Sequence, residues 1–285
     1  MKYRFARDHR KRWPLGIICR VLKVSRSGFY AWSKRGPSRR SQRDQRLLER
    51  IRVVHEENRQ LYGSPRVHRA LLIDGESVSR NTVAKLMRRG KIRAKSRKRF
   101  VPRTTDSNHD RPVAKNLLGR DFSADAPDRK WLTDITYVPT DQGWLYVAAV
   151  LDVFSRRIVG WSMDDHMRVE LVSNALQMAL QRRRAATADL LHHSDRGVQY
   201  ASEDYQHLLA SRGITASMSR SGDCYDNAMM ESFWATLKTE LVHLRHYATR
   251  EQAKQSIFEY IEVFYNRRRL HSALGYISPE SFEAA

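Results

Sequence analysis

Cysteine is nearly absent: the 285 residues hold two, Cys19 and Cys224, far apart in the chain. That excludes a disulfide framework and any zinc site built on closely spaced cysteine pairs. Long apolar runs are missing too. The longest, Trp144–Leu151, falls well short of the roughly 20 residues that cross a bilayer, so no membrane partner is expected. The first twelve residues are charged and lack the apolar stretch of a secretory signal, which predicts a cytoplasmic location. No internal repeat occurs. Hydrophobic residues make up 41%, enough for a folded core, and the length suits one to three domains.

Acidic residues are scarce in the first 120 positions, which hold 34 Lys and Arg against 9 Asp and Glu, a net of +25. The remaining positions hold 18 against 22, a net of −4. A basic module therefore precedes a slightly acidic one. A like-charge excess of this size repels itself unless a polyanion neutralises it, and nucleic acid is the expected partner of the first half.

Within that half, Pro14–Leu22 places Leu15, Ile18, Val21 and Leu22 at helical spacing, and Ser25 caps a second short helix, Arg26–Lys34. This is the outline of a helix-turn-helix that would offer Arg26 and Ser27 to a DNA groove. An amphipathic helix follows over Arg43–Glu57. A second candidate pair comprises Ser64–Ile73, a turn at Asp74-Gly75-Glu76, and Ser79–Arg89. Val83, Leu86 and Met87 would face the core. Arg80, Asn81, Lys85 and Arg88 would face outward, where Arg and Asn suit bidentate contacts to guanine and adenine. Residues 88–103 form a basic tether suited to phosphates, and 104–112 a polar linker.

The pattern changes at Trp131. Lys130–Pro139, Gly143–Asp152 and Arg157–Met163 read as three consecutive strands. A helix over Arg168–Arg184, a short strand over Asp189–His193, a helix over Ser202–Gly213 and a strand over Ile214–Met218 follow. Two further helices, Asp226–Leu244 and Arg250–Tyr265, precede an irregular tail. A five-stranded sheet in this order would bring the ends of its first and fourth strands together.

The acids fall at that point. Asp134 sits mid-strand, where carboxylates are disfavoured. Asp195 directly follows the short fourth strand, and Glu231 lies one turn into the long helix, about 100° from the centre of its apolar stripe. Singly, each has a structural explanation: a paired core acid, a turn residue, a first-turn acid favoured by the helix dipole. Clustered, they would repel unless cations shared the site. Oxygen-only donors suit Mg²⁺ or Mn²⁺, and two such ions could activate an attacking hydroxyl and stabilise the leaving oxygen of a phosphodiester.

Asp134 and Asp195 are 61 positions apart, and 35 residues separate Asp195 from Glu231. This resembles the D,D-35-E signature of retroviral integrases and bacterial insertion-sequence transposases. The segments WLTDITYV, LDVFSRRIVGW, HHSDRGVQY, SRSGDCYDNAMMESFWATLKTE and YNRRRLHSALGYISPESF are similar to the second-frame product of the insertion sequence 3 family, as are VLKVSRSGFYAW and LYGSPRVHRALL nearer the N-terminus. The resemblance covers nearly the whole chain. It implies an α/β fold: an RNase H-like catalytic domain, with a five-stranded mixed sheet and helices, over 123–285. An all-α helix-turn-helix DNA-binding region over 1–103 and a linker over 104–122 would precede it. It further implies DNA cleavage and strand transfer with two Mg²⁺ or Mn²⁺ ions at Asp134, Asp195 and Glu231, acting on the element's terminal repeats and on target DNA. A first-frame protein, or a fusion to it, and a homo-oligomer on DNA are also implied. Lys238 matches the family's basic residue seven positions after the glutamate, and a phosphate or base of the DNA end is its expected contact.

Smaller expectations attach to other residues. His192 and His193 are read as orienting neighbours at the site's edge, with metal or DNA contact as the alternative. Asp226 and Asn227 are expected as helix caps, with Asn227 facing the DNA as the alternative, Asp152 as structural, and Tyr265–His271 as either a DNA-contacting patch or a solvated helix end. Two other classes compete with the enzyme: a regulatory DNA-binding second-frame product, and a simple metal-dependent nuclease. An intact acid triad speaks against the first, and a positioned DNA reader against the second.

Overall fold

A computed structural model describes residues 1–95, 113–183, 189–220 and 224–285. The basic run and linker read over 96–112 lie outside the described residues. Three helices open the chain: α1 (Lys2–His9), α2 (Leu15–Val21) and α3 (Arg26–Lys34). They share a small core of Ala6, Ile18, Cys19 and Phe29. Sequence pattern gives no sign of α1, because KYRFARDH has too little apolar periodicity. Packing holds it: the Tyr3 ring lies 5.9 Å from Trp32. Ser25 caps α3 by accepting from the Gly28 amide at 3.0 Å, as expected.

Then come α4 (Arg39–Glu57), α5 (Ser64–Ile73) and α6 (Arg80–Arg89). The first of these starts four residues before the expected Arg43, where Ser38 caps it through the Ser41 amide. Arg39–Gln42 contain no apolar residue, so periodicity could not reveal them. Leu47, Ile51 and Val54 of α4 pack with Val67 and Leu71 of α5 and with Val83, Leu86 and Met87 of α6. Arginines on α4 brace the α5–α6 turn: Arg46 meets Glu76 at 2.7 Å and Arg50 meets Asp74 at 2.9 Å.

The second half holds β1 (Lys130–Thr140), β2 (Gly143–Asp152), β3 (Ile158–Asp164), α7 (Val169–Arg183), β4 (Leu191–Ser194), α8 (Glu203–Ser211) and β5 (Thr215–Met218). The sheet order is β3-β2-β1-β4-β5. The β1–β2 and β2–β3 pairs are antiparallel, while β1–β4 and β4–β5 are parallel. Alternation along β2 separates the two cores. Leu145, Val147, Ala149 and Leu151 face one side, and Ala148 and Val150 face the α7–α8 side. This interior strand holds the longest apolar run of the sequence because both of its faces are buried.

After β5 come a 3₁₀ turn (Cys224–Asn227), α9 (Ala228–Glu240), a second 3₁₀ turn (Val242–Leu244), α10 (Arg250–Glu259), a π-helical stretch (Tyr260–Tyr265) and α11 (Pro279–Glu283). The single helix expected over Asp226–Leu244 is thus divided, since Leu241 leaves helical geometry (φ −130°, ψ −68°) as it enters the core. The helix expected to end at Tyr265 widens at Tyr260, which buries Tyr260, Ile261, Phe264 and Tyr265 together. The core of this face is continuous with that of α4–α6. Tyr62, after α4, accepts from the Leu270 amide at 2.9 Å and donates to the Arg268 carbonyl at 3.1 Å.

Candidate active site

Parallel pairing sets Leu132 of β1 opposite His193 of β4. Asp134 lies two residues beyond Leu132 on β1, and Asp195 lies two beyond His193, just past the end of β4. Asp134 shares its face with Leu132, the side on which α9 packs. One carboxylate oxygen of Asp134 accepts from the Ile135 amide at 2.8 Å, and the other accepts from the Trp234 indole N–H at 3.1 Å. Asp195 accepts from the Gly197 amide at 2.9 Å. Burial pushes the Asp134 carboxyl well above the usual carboxylate range, and Asp195 and Glu231 push it the same way, against the two donated hydrogen bonds. Asp195 and Glu231 therefore both lie within electrostatic reach of Asp134.

Glu231 and Trp234 are three positions apart on α9, on one side of the helix. Lys238 lies one turn beyond Trp234, and its Nζ sits 5.1 Å from the centre of the Tyr137 ring. Burial lowers the Lys238 pKa while the nearby Asp134 opposes that shift. Neither Tyr137 nor Trp234 stands out in the sequence as a site residue. The apolar stripe of α9 marks Trp234 as core, and periodicity is blind to an indole N–H.

The capping role expected of Asp226 and Asn227 does not hold. Asn227 occupies the N-cap position, but its side chain donates to the Thr133 carbonyl at 3.0 Å instead of capping α9. Its Oδ1 is buried without a hydrogen-bond partner among the described residues. Asp226 is fully buried and accepts from the Arg220 amide and guanidinium, from Arg120 and from Asn116. Those hydrogen bonds fasten residues 116–120 to the start of α9, while Ser217 accepts from the Leu117 and Leu118 amides.

Both histidines are structural. His192 contacts the Tyr205 hydroxyl at 3.2 Å, and the His193 nitrogens contact the Ser217 and Ser219 hydroxyls at 2.8 and 3.1 Å. Burial lowers their pKa values to about 3 and about 4, so both are neutral at pH 7. Asp152 accepts from the Asp128 and Ser155 amides, a structural role as expected. The segment Tyr265–His271 is neither a DNA-facing patch throughout nor a solvated end. Tyr265, Asn266, Arg269 and His271 are buried, and Arg269 grips Glu240 through two hydrogen bonds of 2.8 and 2.7 Å. Asn266 closes a pair of hydrogen bonds with the Ile158 backbone.

Away from the acids, Arg26 is exposed at the start of α3, and Arg80, Asn81, Lys85 and Arg88 are exposed on α6. Arg89 turns back to Asp44 at 3.5 Å. No helix among the described residues is long and apolar enough to cross a membrane.

Comparison with known proteins places this arrangement among integrase cores: family models described as integrase core domain match residues 124–224 and 212–279, and one described as HTH-like domain matches 42–100. "Transposase InsF for insertion sequence IS3A" of Escherichia coli (strain K12) is 44% identical over 285 residues, covering 99% of this chain and 98% of the relative. The "Insertion element IS600 uncharacterized 31 kDa protein" of Shigella sonnei is 46% identical over 265 residues, covering 93% and 97%. The chain belongs to the IS3 InsF family of insertion-sequence transposases. Among solved structures, a simian T-cell lymphotropic virus intasome bound to a PP2A regulatory subunit is similar, with a TM-score of 0.48 and 14% identity over 83% of this chain and 74% of that one. The HTLV-2 integrase catalytic core domain in complex with magnesium has a TM-score of 0.43 and 12% identity, over 56% of this chain and 99% of that one.

Proposed function

We propose that this DNA transposase cleaves and joins insertion-sequence ends at a site formed by Asp134, Asp195 and Glu231. The observation that carries the reading is that Asp195 and Glu231 both act electrostatically on Asp134, two residues past the Leu132–His193 pair of the parallel β1–β4 register. The donor set fits divalent cations. It is all oxygen, both ring nitrogens of the nearby His193 are occupied by hydroxyls, and positive charge would favour the ionised form of the buried Asp134 carboxyl beside two other acids. Asp134, Asp195 and Glu231 would hold two Mg²⁺ or Mn²⁺ ions. Bound there, the ions would supply Lewis acidity that activates an attacking hydroxyl and stabilises the leaving oxygen of a phosphodiester.

The remaining work falls to the chain's own residues. Trp234 and the Ile135 amide fix the Asp134 carboxylate, and the Gly197 amide fixes Asp195. Lys238, held over Tyr137 beside Asp134, meets a phosphate or base of the DNA end as a mobile point charge. Arg80, Asn81, Lys85 and Arg88 on α6, with Arg26 on α3, read the element's terminal repeats. Residues 1–103 act as the DNA-binding region, 104–122 as the connection and 123–285 as the catalytic unit, working as a homo-oligomer on DNA with a first-frame protein or fusion.

A strand-transfer assay with duplexes from the element's ends, run in Mg²⁺ and Mn²⁺ with and without the first-frame protein, tests this. Asp134→Asn should abolish cleavage and joining while duplex binding persists. Cleavage at the wild-type rate by Asp134→Asn would remove the triad assignment.

A further inference from the structure

Behind α9, on the side away from the acids, lies a cavity of about 180 Å³, roughly the volume of six liquid waters. Ser232 and Thr236 line it from α9, Arg66 from α5, Arg156 from the β2–β3 connection, and Arg269 and His271 from the C-terminal segment. The charges there do not balance. Glu240 is the carboxylate that answers this cluster, and Arg269 takes both of its oxygens, while Arg66 reaches it at 3.5 Å. The half-buried Arg156 side chain has no hydrogen bond or ion pair among the described residues. His271 brings no negative charge. Burial, then Arg269, Arg66 and Arg156, hold its pKa far below the usual histidine value. A partly desolvated guanidinium beside two others and a neutral imidazole is costly without an anion, and hydroxyls on the opposite wall add donors to receive one.

We propose that this cavity binds a phosphoryl oxyanion, supplied by the DNA backbone, with Arg156 as its main ligand and Arg66, Ser232 and Thr236 as further donors. The planar guanidinium fork suits phosphate oxygens, and backbone phosphates are the oxyanions that a DNA transposase meets in quantity. The assignment rests on the transposase reading but concerns a different side of α9. It also joins two parts of the molecule, because a phosphate here would bridge α5 of the helix-turn-helix-like unit and the helix that carries Glu231.

The test uses the full chain and a mixed-sequence duplex, with binding measured from about 50 to about 200 mM salt. Arg156→Gln should reduce the slope of log K against log salt by about 0.9 and weaken binding roughly five- to tenfold near 0.1 M salt, as expected when one phosphate is no longer neutralised. Arg156→Lys should restore most of both. In parallel, inorganic phosphate at matched ionic strength should raise the melting temperature of wild type more than that of Arg156→Gln or Thr236→Val. Wild-type slope and affinity in Arg156→Gln would overturn the DNA assignment. If phosphate still protected wild type selectively, the occupant would be free phosphate; equal protection of all the variants would remove the anion site itself. A wild-type chain that bound no duplex would instead overturn the functional reading, so the two failures are distinguishable.

Discussion

Trp234 performs a polar task from within an apolar face. Its indole N–H is donated to Asp134, whose other oxygen takes the Ile135 amide, so the carboxylate is held from two sides. Trp234→Phe keeps most of the ring volume and removes the donor. It should lower apparent divalent-metal affinity or strand-transfer rate roughly 10–100-fold, the usual range for losing a group that orients a metal ligand, with the melting temperature nearly unchanged. Metal titration of DNA cleavage, run alongside thermal melting, checks both halves. Asp134 stands out in the sequence because a carboxylate in the middle of KWLTDITYV goes against strand preference, whereas Asp195 and Glu231 stand out only through their spacing and the family resemblance. Their supporting residues do not. Asn227 looked like a cap because Asn before a helix usually is one, yet the Thr133 carbonyl on β1 claims its side chain.

Elements show where local pattern stops and tertiary packing takes over. Strands β1–β3 were readable from β-branched and aromatic runs, and α5 and α6 from their capped apolar stripes. Helix α1 was not, since its stability comes from Tyr3 and Ala6 docking on α3. Close approach also governs β3 and α7. A Cβ at Gly160 would collide with the Ala175 carbonyl and with Ala179 of α7. Gly160→Val should destabilise the fold by about 1–3 kcal/mol through overpacking, measurable as a lower urea midpoint. At the start of α9, hydrogen bonds from Arg220, then Arg120, hold the Asp226 carboxyl below the ordinary carboxylate range. A depressed folded-state pKa contributes stability that is complete above the unfolded value of about 4 and is lost as pH falls below it. Asp226→Asn should therefore lower the melting temperature at pH 7, and the gap from wild type should narrow as pH drops toward 3.

At the scale of the whole chain, the split between a basic first half and an acidic second half is plain from counting, and the element order gives a five-stranded mixed sheet with its first and fourth strands together, though not the order of the other strands. The shared core was not legible, because packing between α4–α6 and the C-terminal segment joins residues some 200 positions apart, such as Tyr62 with Leu270. That core argues for testing DNA affinity in the intact chain, since cutting between the halves would expose it. The triple variant Arg80→Ala, Lys85→Ala, Arg88→Ala removes three exposed charges from α6 without touching the core. It should lower the slope of log K against log salt by up to about 2.7, near 0.9 for each phosphate left unneutralised. An unchanged slope would mean that other basic residues carry the affinity.

The Tyr62 latch has a consequence for the geometry of the DNA substrate. Because α6 shares one core with the sheet and the C-terminal segment, the bases proposed for α6 and the bond proposed for the acids would be separated by a packed span rather than by a tether. On that reading the protein would work as a gauge. Adding about five base pairs between the recognised sequence and the cleavage point would turn one half a helical revolution away from the other. An end altered in this way would still bind, but it would present the wrong face of the duplex to the acids.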